Sequence, residues 1–253
     1  MRGDRRLAAV FVAAMAAAGC DMIYAPTSPS RAWVTFESAR FTIYARPGSF
    51  AETNAAAFAD VLEDQYAFTV SRLGIAEGAR VAMFLYNHGG ELDPPLPNAR
   101  AGVAFPETNA VHAVAFAPHD NDLNALLTHE ANHVIISNGL GRPGTSFMNE
   151  GLASALTSER YGEFGPTFLQ RWARSNPQRL IRLADLIDDA KWSSNSNDGY
   201  RTSAAFLAFL LDRYGAERLR QIYYARSGEL STRMREVYGK SLEALEAEWL
   251  AGS

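Results

Sequence analysis

Two histidines stand four residues apart with a glutamate beside the first, in His129-Glu130-Ala131-Asn132-His133, and a second glutamate follows in Asn149-Glu150-Gly151-Leu152-Ala153. A helix turns by about 100° per residue, so positions i and i+4 share a face and both imidazoles can aim at one ion. Neutral imidazoles are ordinary ligands of Zn²⁺. A glutamate next to them is placed to take a proton from the water that the ion polarises. Hydrolytic zinc takes three protein ligands and keeps one corner for solvent, so a third ligand must come from elsewhere in the chain. Sixteen residues lie between His133 and Glu150, enough for one helix to end, a loop to turn, and a second helix to face back. The expected centre is one zinc ion held by His129, His133 and Glu150, with Glu130 as general base.

The helix that must carry this site has its own signals. Asp120, Asn121 and Asp122 are candidate caps, Asn138-Gly139 is the expected stop, and Leu123, Leu127, Ala131, Val134 and Ile135 form an apolar stripe behind the histidines. Two surface histidines on an ordinary helix would leave Asn149-Glu150-Gly151 without a role.

The two peptides together resemble the gluzincin metallopeptidases of the thermolysin-like and peptidase-MA-like kind, over roughly residues 100 to 215. The resemblance implies a zincin-like fold, a small mixed sheet followed by a mainly helical part with the cleft between them, and a peptide or protein as substrate. Asn149-Glu150-Gly151-Leu152-Ala153 is similar to the third-ligand peptide of the zinc aminopeptidase branch. Tyr200-Arg201-Thr202-Ser203-Ala204-Ala205 resembles the stretch of that branch whose tyrosine hydrogen-bonds the developing oxyanion, which implies that role for Tyr200. A phenol stays protonated at neutral pH and can donate to charge that arises only in the transition state. Two departures matter. Gly102-Val103-Ala104-Phe105-Pro106 stands where that branch carries a glutamate for the substrate's free amine, and it has no carboxylate there, which favours an endopeptidase; Glu107 is the nearest acid. Ser154 stands where thermolysin-like enzymes hold a carboxylate that orients a histidine, so a different group is expected to orient it here.

The start of the chain bears on compartment. Arg2, Arg5 and Arg6 precede the apolar run over residues 7–18, and Ala17-Ala18-Gly19-Cys20 follows the pattern of a bacterial lipobox. Residues 1–19 are therefore expected to be a signal peptide, Cys20 a lipid anchor, and residues 20–31 a tether that Pro26 and Pro29 keep extended. An unmodified cysteine near a plain signal cut is the alternative. The expected location is the bacterial cell envelope, on the periplasmic or outer side of a membrane. Cys20 is the only cysteine, so a disulfide or thiolate zinc site within the chain is excluded. Without residues 1–19, the 24 basic and 28 acidic side chains become 21 and 27, a formal charge of −6. That balance, with no basic cluster among aromatics, disfavours a nucleic-acid partner. Oligomeric state has no signature.

The fold class expected for residues 32–253 is α+β, with a mixed part over 32–121 and a helical part over 122–253. Strands are expected at 33–36, 41–44, 81–86 and 111–116, the last as an edge strand bearing His112 beside the cleft, and a helix at 51–73 with Ala57, Val61, Tyr66 and Val70 inward. His88, His112 and His119 lack metal spacing and read as structural. After Glu150 the pattern is helical, over about 147–160, 165–174, 182–189, 199–214, 216–226, 230–238 and 241–251. Asp185, Asp188 and Asp189 read as a solvated face, with calcium as the other option, and residues 193–199 as a lid or linker. Two other functions compete with peptide hydrolysis: an envelope binding or assembly protein that keeps the shape and processes nothing, and a zinc amidase acting on peptidoglycan peptides.

Overall fold

The computed structural model describes residues 32–91, 101–117, 119, 121–161, 168–192 and 197–252. The signal, tether and Cys20 expectations lie outside these residues, as do Asp120 and positions 193–196 of the expected lid.

The chain is a mixed α+β structure. Among the described residues five strands form one sheet: β1 (Val34–Glu37), β2 (Phe41–Ala45), β3 (Val81–Tyr86), β4 (Gly102–Phe105) and β5 (Ala110–Val114). Their order is β1-β2-β3-β5-β4; β2, β3 and β5 run parallel, and the two outer strands run antiparallel to their neighbours. Parallel strands need a crossover. Between β2 and β3 it is made by α1 (Phe50–Thr53) and α2 (Ala55–Leu73). Ser49 caps α1 by accepting from the Glu52 N–H at 3.0 Å, and Gly74 ends α2 in the left-handed conformation at φ 58°.

Two expectations change here. The 51–73 helix is broken at Asn54, and its buried face is Phe58, Ala59, Leu62, Gln65, Tyr66, Thr69 and Leu73, so of the four inward candidates only Tyr66 is fully buried. Two adjacent cores compete for this helix, and the register that serves both is rotated from the simple apolar count. The strand bearing His112 is interior, between β3 and β4. The edge is β4, four residues beginning with glycine, too short and too small to show alternation in the sequence.

Helix α3 (Asn121–Leu140) follows β5, then α4 (Ser146–Arg160), α5 (Phe168–Ser175), α6 (Leu183–Leu186), α7 (Asp189–Trp192), α8 (Asn197–Tyr214), α9 (Ala216–Ile222), α10 (Leu230–Tyr238) and α11 (Leu242–Gly252). The 182–189 helix is thus two separate turns. Asp188 caps the second by accepting from the Ala190 N–H at 3.1 Å. α3 runs past Asn138-Gly139 and ends at Leu140, with Gly141 at φ 82°; Gly139 lies inside the helix, where a Cβ would meet Ile75 Cδ1 at 2.6 Å.

The core has two parts. Leu123, Leu127, Ala131, Val134 and Ile135 of α3 pack with β2, β3, β5 and α2, so α3 joins the sheet side by packing. α4, α8 and the later helices form the second core around Phe147, Leu152, Phe206 and Trp249. The site therefore lies where α3, from one core, meets α4, from the other. No helix among the described residues is long and apolar enough to cross a membrane.

Candidate metal centre

Each ligand has a local reason for its place. His129 and His133 lie one turn apart on the face of α3 turned from the sheet core. The Thr145 hydroxyl accepts from the Met148 N–H at 3.2 Å and caps α4, which puts Glu150 in the second turn, facing back toward α3. His129 Nε2 and His133 Nε2 are 3.2 Å apart. Glu150 Oε2 lies 3.3 Å from the first and 3.4 Å from the second. Ligands at about 2.0–2.1 Å from a tetrahedral ion stand about 3.3 Å from one another, so the three atoms make the base of such a tetrahedron. Three lone-pair-bearing atoms converging this closely in a buried place also require a cation or protons among them. Among the described residues, His129, His133 and Glu150 are the one group of histidines and acids arranged to hold a metal ion.

The electrostatics agree. Burial works against a charged His133, but the Glu150 carboxylate, by charge and hydrogen bond, with Glu130 and Asn149 adding to it, holds its pKa up at about 9. Burial likewise works against a charged Glu150, and the two histidines overcome it, keeping the carboxyl well below the usual range. For Glu130 the balance reverses: burial dominates the pull of the histidines, and its pKa is raised. A carboxylate made more basic by burial suits proton abstraction.

Glu130 is packed against the edge strand. Gly102 of β4 approaches its side chain so closely that a Cβ at Gly102 would meet Glu130 Cγ at 2.6 Å. The cleft over the ligands is lined by Gly102, Val103, Ala104 and Pro106 on one side and by Asn149 and Tyr200 on the other. The structure brings Tyr200 to the site. It sits in the first turn of α8, and burial, then Glu150 and Glu130, raise its pKa, so the phenol keeps its proton. Gly151, directly after the third ligand, lets α8 press on α4: a Cβ there would meet Ser203 Cβ at 2.8 Å and Leu207 Cδ1 at 2.9 Å.

Ser154 reverses an expectation. One turn beyond Glu150, its Oγ lies 3.4 Å from His129 Nδ1, so the serine itself stands at a ring nitrogen of that histidine. A bond there directs the Nε2 lone pair of His129 toward the other ligands. Asn149 donates to Glu150 Oε1 at 2.9 Å, steadying the carboxylate.

Other candidates fall away from the cleft. Glu107 is exposed and 3.9 Å from Arg142. His112 points to the opposite face of the sheet, where Tyr86 Oη meets its Nδ1 at 2.8 Å and Phe84 stacks on the ring; that corrects its expected place beside the cleft. His119 meets Asn124 Oδ1 at 2.9 Å, and His88 is exposed near Glu91. Asp185 and Asp188 pair with Lys191, while Asp189 accepts from the Ser146 N–H at 2.8 Å at the start of α4. Sequence reasoning placed Gly102-Val103-Ala104-Phe105-Pro106 near the substrate but missed that it forms β4 and that Gly102 packs on Glu130, and it missed Asn132, for which the polar residue inside the motif was the one hint.

No protein-family model matches the chain, and no curated protein is similar to it in sequence at a meaningful level. The functional reading therefore rests on the residues and their geometry.

Proposed function

We propose that this protein is a zinc-dependent metallopeptidase of the gluzincin type, with a zincin-like fold, acting on peptide bonds inside extended chains at the bacterial cell envelope. The observation that carries the reading is the triangle of His129 Nε2, His133 Nε2 and Glu150 Oε2, with sides of 3.2, 3.3 and 3.4 Å. Two nitrogens and one carboxylate oxygen suit zinc, whereas calcium and magnesium prefer all-oxygen sites. When bound, zinc supplies Lewis acidity toward a carbonyl and lowers the pKa of water.

The chain's own groups divide the remaining work. Glu130, made more basic by burial, takes a proton from the attacking water and is placed to return it to the departing amine. Tyr200 donates a hydrogen bond to the developing oxyanion. Among the described residues β4 is the last strand on this side of the sheet, and its outer edge would give an extended peptide main-chain partners beside the ligands. Among the described residues, those lining the cleft include no arginine or lysine for a terminal carboxylate, and the carboxylates there are Glu130 and Glu150. This supports cleavage within a chain over trimming of its ends. Attachment through a lipid on Cys20 rests on the N-terminal residues alone.

Metal analysis of the purified protein, with cleavage of a peptide library before and after chelation, tests the reading. Zinc near one equivalent and cleavage that Glu130→Gln abolishes without metal loss are expected. Zinc without cleavage of any peptide would favour the binding or assembly protein, and cleavage confined to cell-wall peptides would favour the amidase.

A further inference from the structure

Asn132, directly before the second motif histidine and on the flank of α3 next to the ligand-bearing face, is fully buried. Its carboxamide oxygen accepts from Thr69 Oγ1 at 2.6 Å and from Gln65 Nε2 at 3.3 Å, both on α2. Its carboxamide nitrogen donates to Thr157 Oγ1 at 3.0 Å and to the Ala153 carbonyl at 3.3 Å, both on α4. A primary amide offers two acceptor positions and two donor hydrogens, and all four are used here. Gln65 also donates to the Leu156 carbonyl at 3.3 Å, a second strut from α2 to α4. Four buried polar side chains, Gln65, Thr69, Asn132 and Thr157, thus join three helices, with Gln65 Oε1 the buried atom of the group that has no protein partner; at buried positions unpaired polar groups are costly, so breaking these bonds is resisted.

The place of this network matters because the proposed ligands are split between α3 and α4, which belong to different apolar cores. Apolar packing fixes how close two helices come and resists rotation less strictly. A side-chain tip about 6 Å from the α3 axis moves by about 1 Å for a 10° turn, whereas metal–ligand distances hold to about 0.2 Å. Accepting the metal-centre reading above, we infer that Asn132 is a positioning residue: its bonds to Thr157 and Ala153 set the rotation of α3 against α4 and bring both imidazoles into register with Glu150.

The test separates the two sides of the amide in the full-length protein. Thr157→Val cuts the strut to α4, the other ligand helix, and Thr69→Val cuts a strut to α2, which carries no ligand. Affinities for Zn²⁺ and Co²⁺ are measured by competition with a chromophoric chelator, with the visible spectrum of the Co²⁺ form and the Tm of the metal-free protein alongside. Thr157→Val is expected to weaken both ions at least tenfold and to change the Co²⁺ spectrum, and Thr157→Ser, which keeps the hydroxyl, is expected to restore both. Thr69→Val is expected to lower Tm with affinity within about twofold of wild type. Asn132→Leu, which removes the whole amide, should match or exceed Thr157→Val; if it does not fold, the threonine pair still decides. Wild-type affinity and spectrum in Thr157→Val, or equal weakening in both valine variants, would overturn the positioning role and leave the metal centre standing. A wild-type protein that takes up neither ion would overturn both.

Discussion

Gly102 on the edge strand and Glu130 on α3 are in such close contact that one added carbon at Gly102 would lie 2.6 Å from Glu130 Cγ and 3.1 Å from its Cδ. Glu130, the proposed general base, is thus held by backbone, and the strand proposed to pair with a peptide is the one that holds it. Gly102→Ala should push the carboxylate aside while sparing the ligands. A displacement near 1 Å costs on the order of 10²-fold in rate; kcat should fall by about that factor with metal content unchanged, as steady-state kinetics and metal analysis would show.

Glu130→Gln keeps the size of the side chain and removes its basicity. Positioned acid–base groups contribute about 10²–10⁴-fold, so kcat should fall within that range with zinc retained. Turnover near wild type would remove Glu130 from the mechanism.

Tyr200→Phe would remove the hydrogen bond proposed to form only in the transition state. The loss of one such donor costs about 10²–10³-fold in kcat, and KM should change little. Gly151→Ala reaches the same residue from behind, by forcing α8 away from α4 through Ser203 and Leu207. Overpacking of this kind costs roughly 1–3 kcal/mol, so thermal denaturation should show a lower Tm, accompanied by a fall in kcat.

Metal binding and protonation compete at His133. In the metal-free chain Glu150 keeps this histidine protonated up to about pH 9, and a metal ligand must be neutral. Zinc uptake at pH 7 should therefore release about one proton, and affinity should rise with pH until about pH 9 and then level. Calorimetry in buffers of different ionisation enthalpy measures the proton directly. Release of none would mean that His133 is already neutral.

His112 has the opposite electrostatics. Burial pushes its pKa down to about 4 from 6.5, so the fold favours the neutral ring, with Nδ1 accepting from Tyr86. The unfolded chain binds the proton first as pH falls, and this contribution is lost between about pH 6.5 and 4. At about 1.4 kcal/mol per unit, the loss approaches roughly 3 kcal/mol. His112→Phe should remove that part of the acid sensitivity, seen in denaturant unfolding at pH 7 and pH 4.5 of variant against wild type.

The three residues of the candidate metal centre were legible in the sequence because helix geometry is local. His129 and His133 share a face by spacing alone, and the capped helix around Glu150 follows within a span that permits one turn back. The mixed α+β class and most helices were legible for the same reason. What the sequence could not decide was how α3 and α4 are rotated and spaced, since that depends on Asn132 bonding to Thr157 across 25 positions and on Gly151 admitting α8. The edge strand was hidden because β4 is only four residues long and takes its identity from pairing with β5. Spacing along one helix fixes the direction of its side chains; only packing between distant segments brings their tips within about 3 Å of one another.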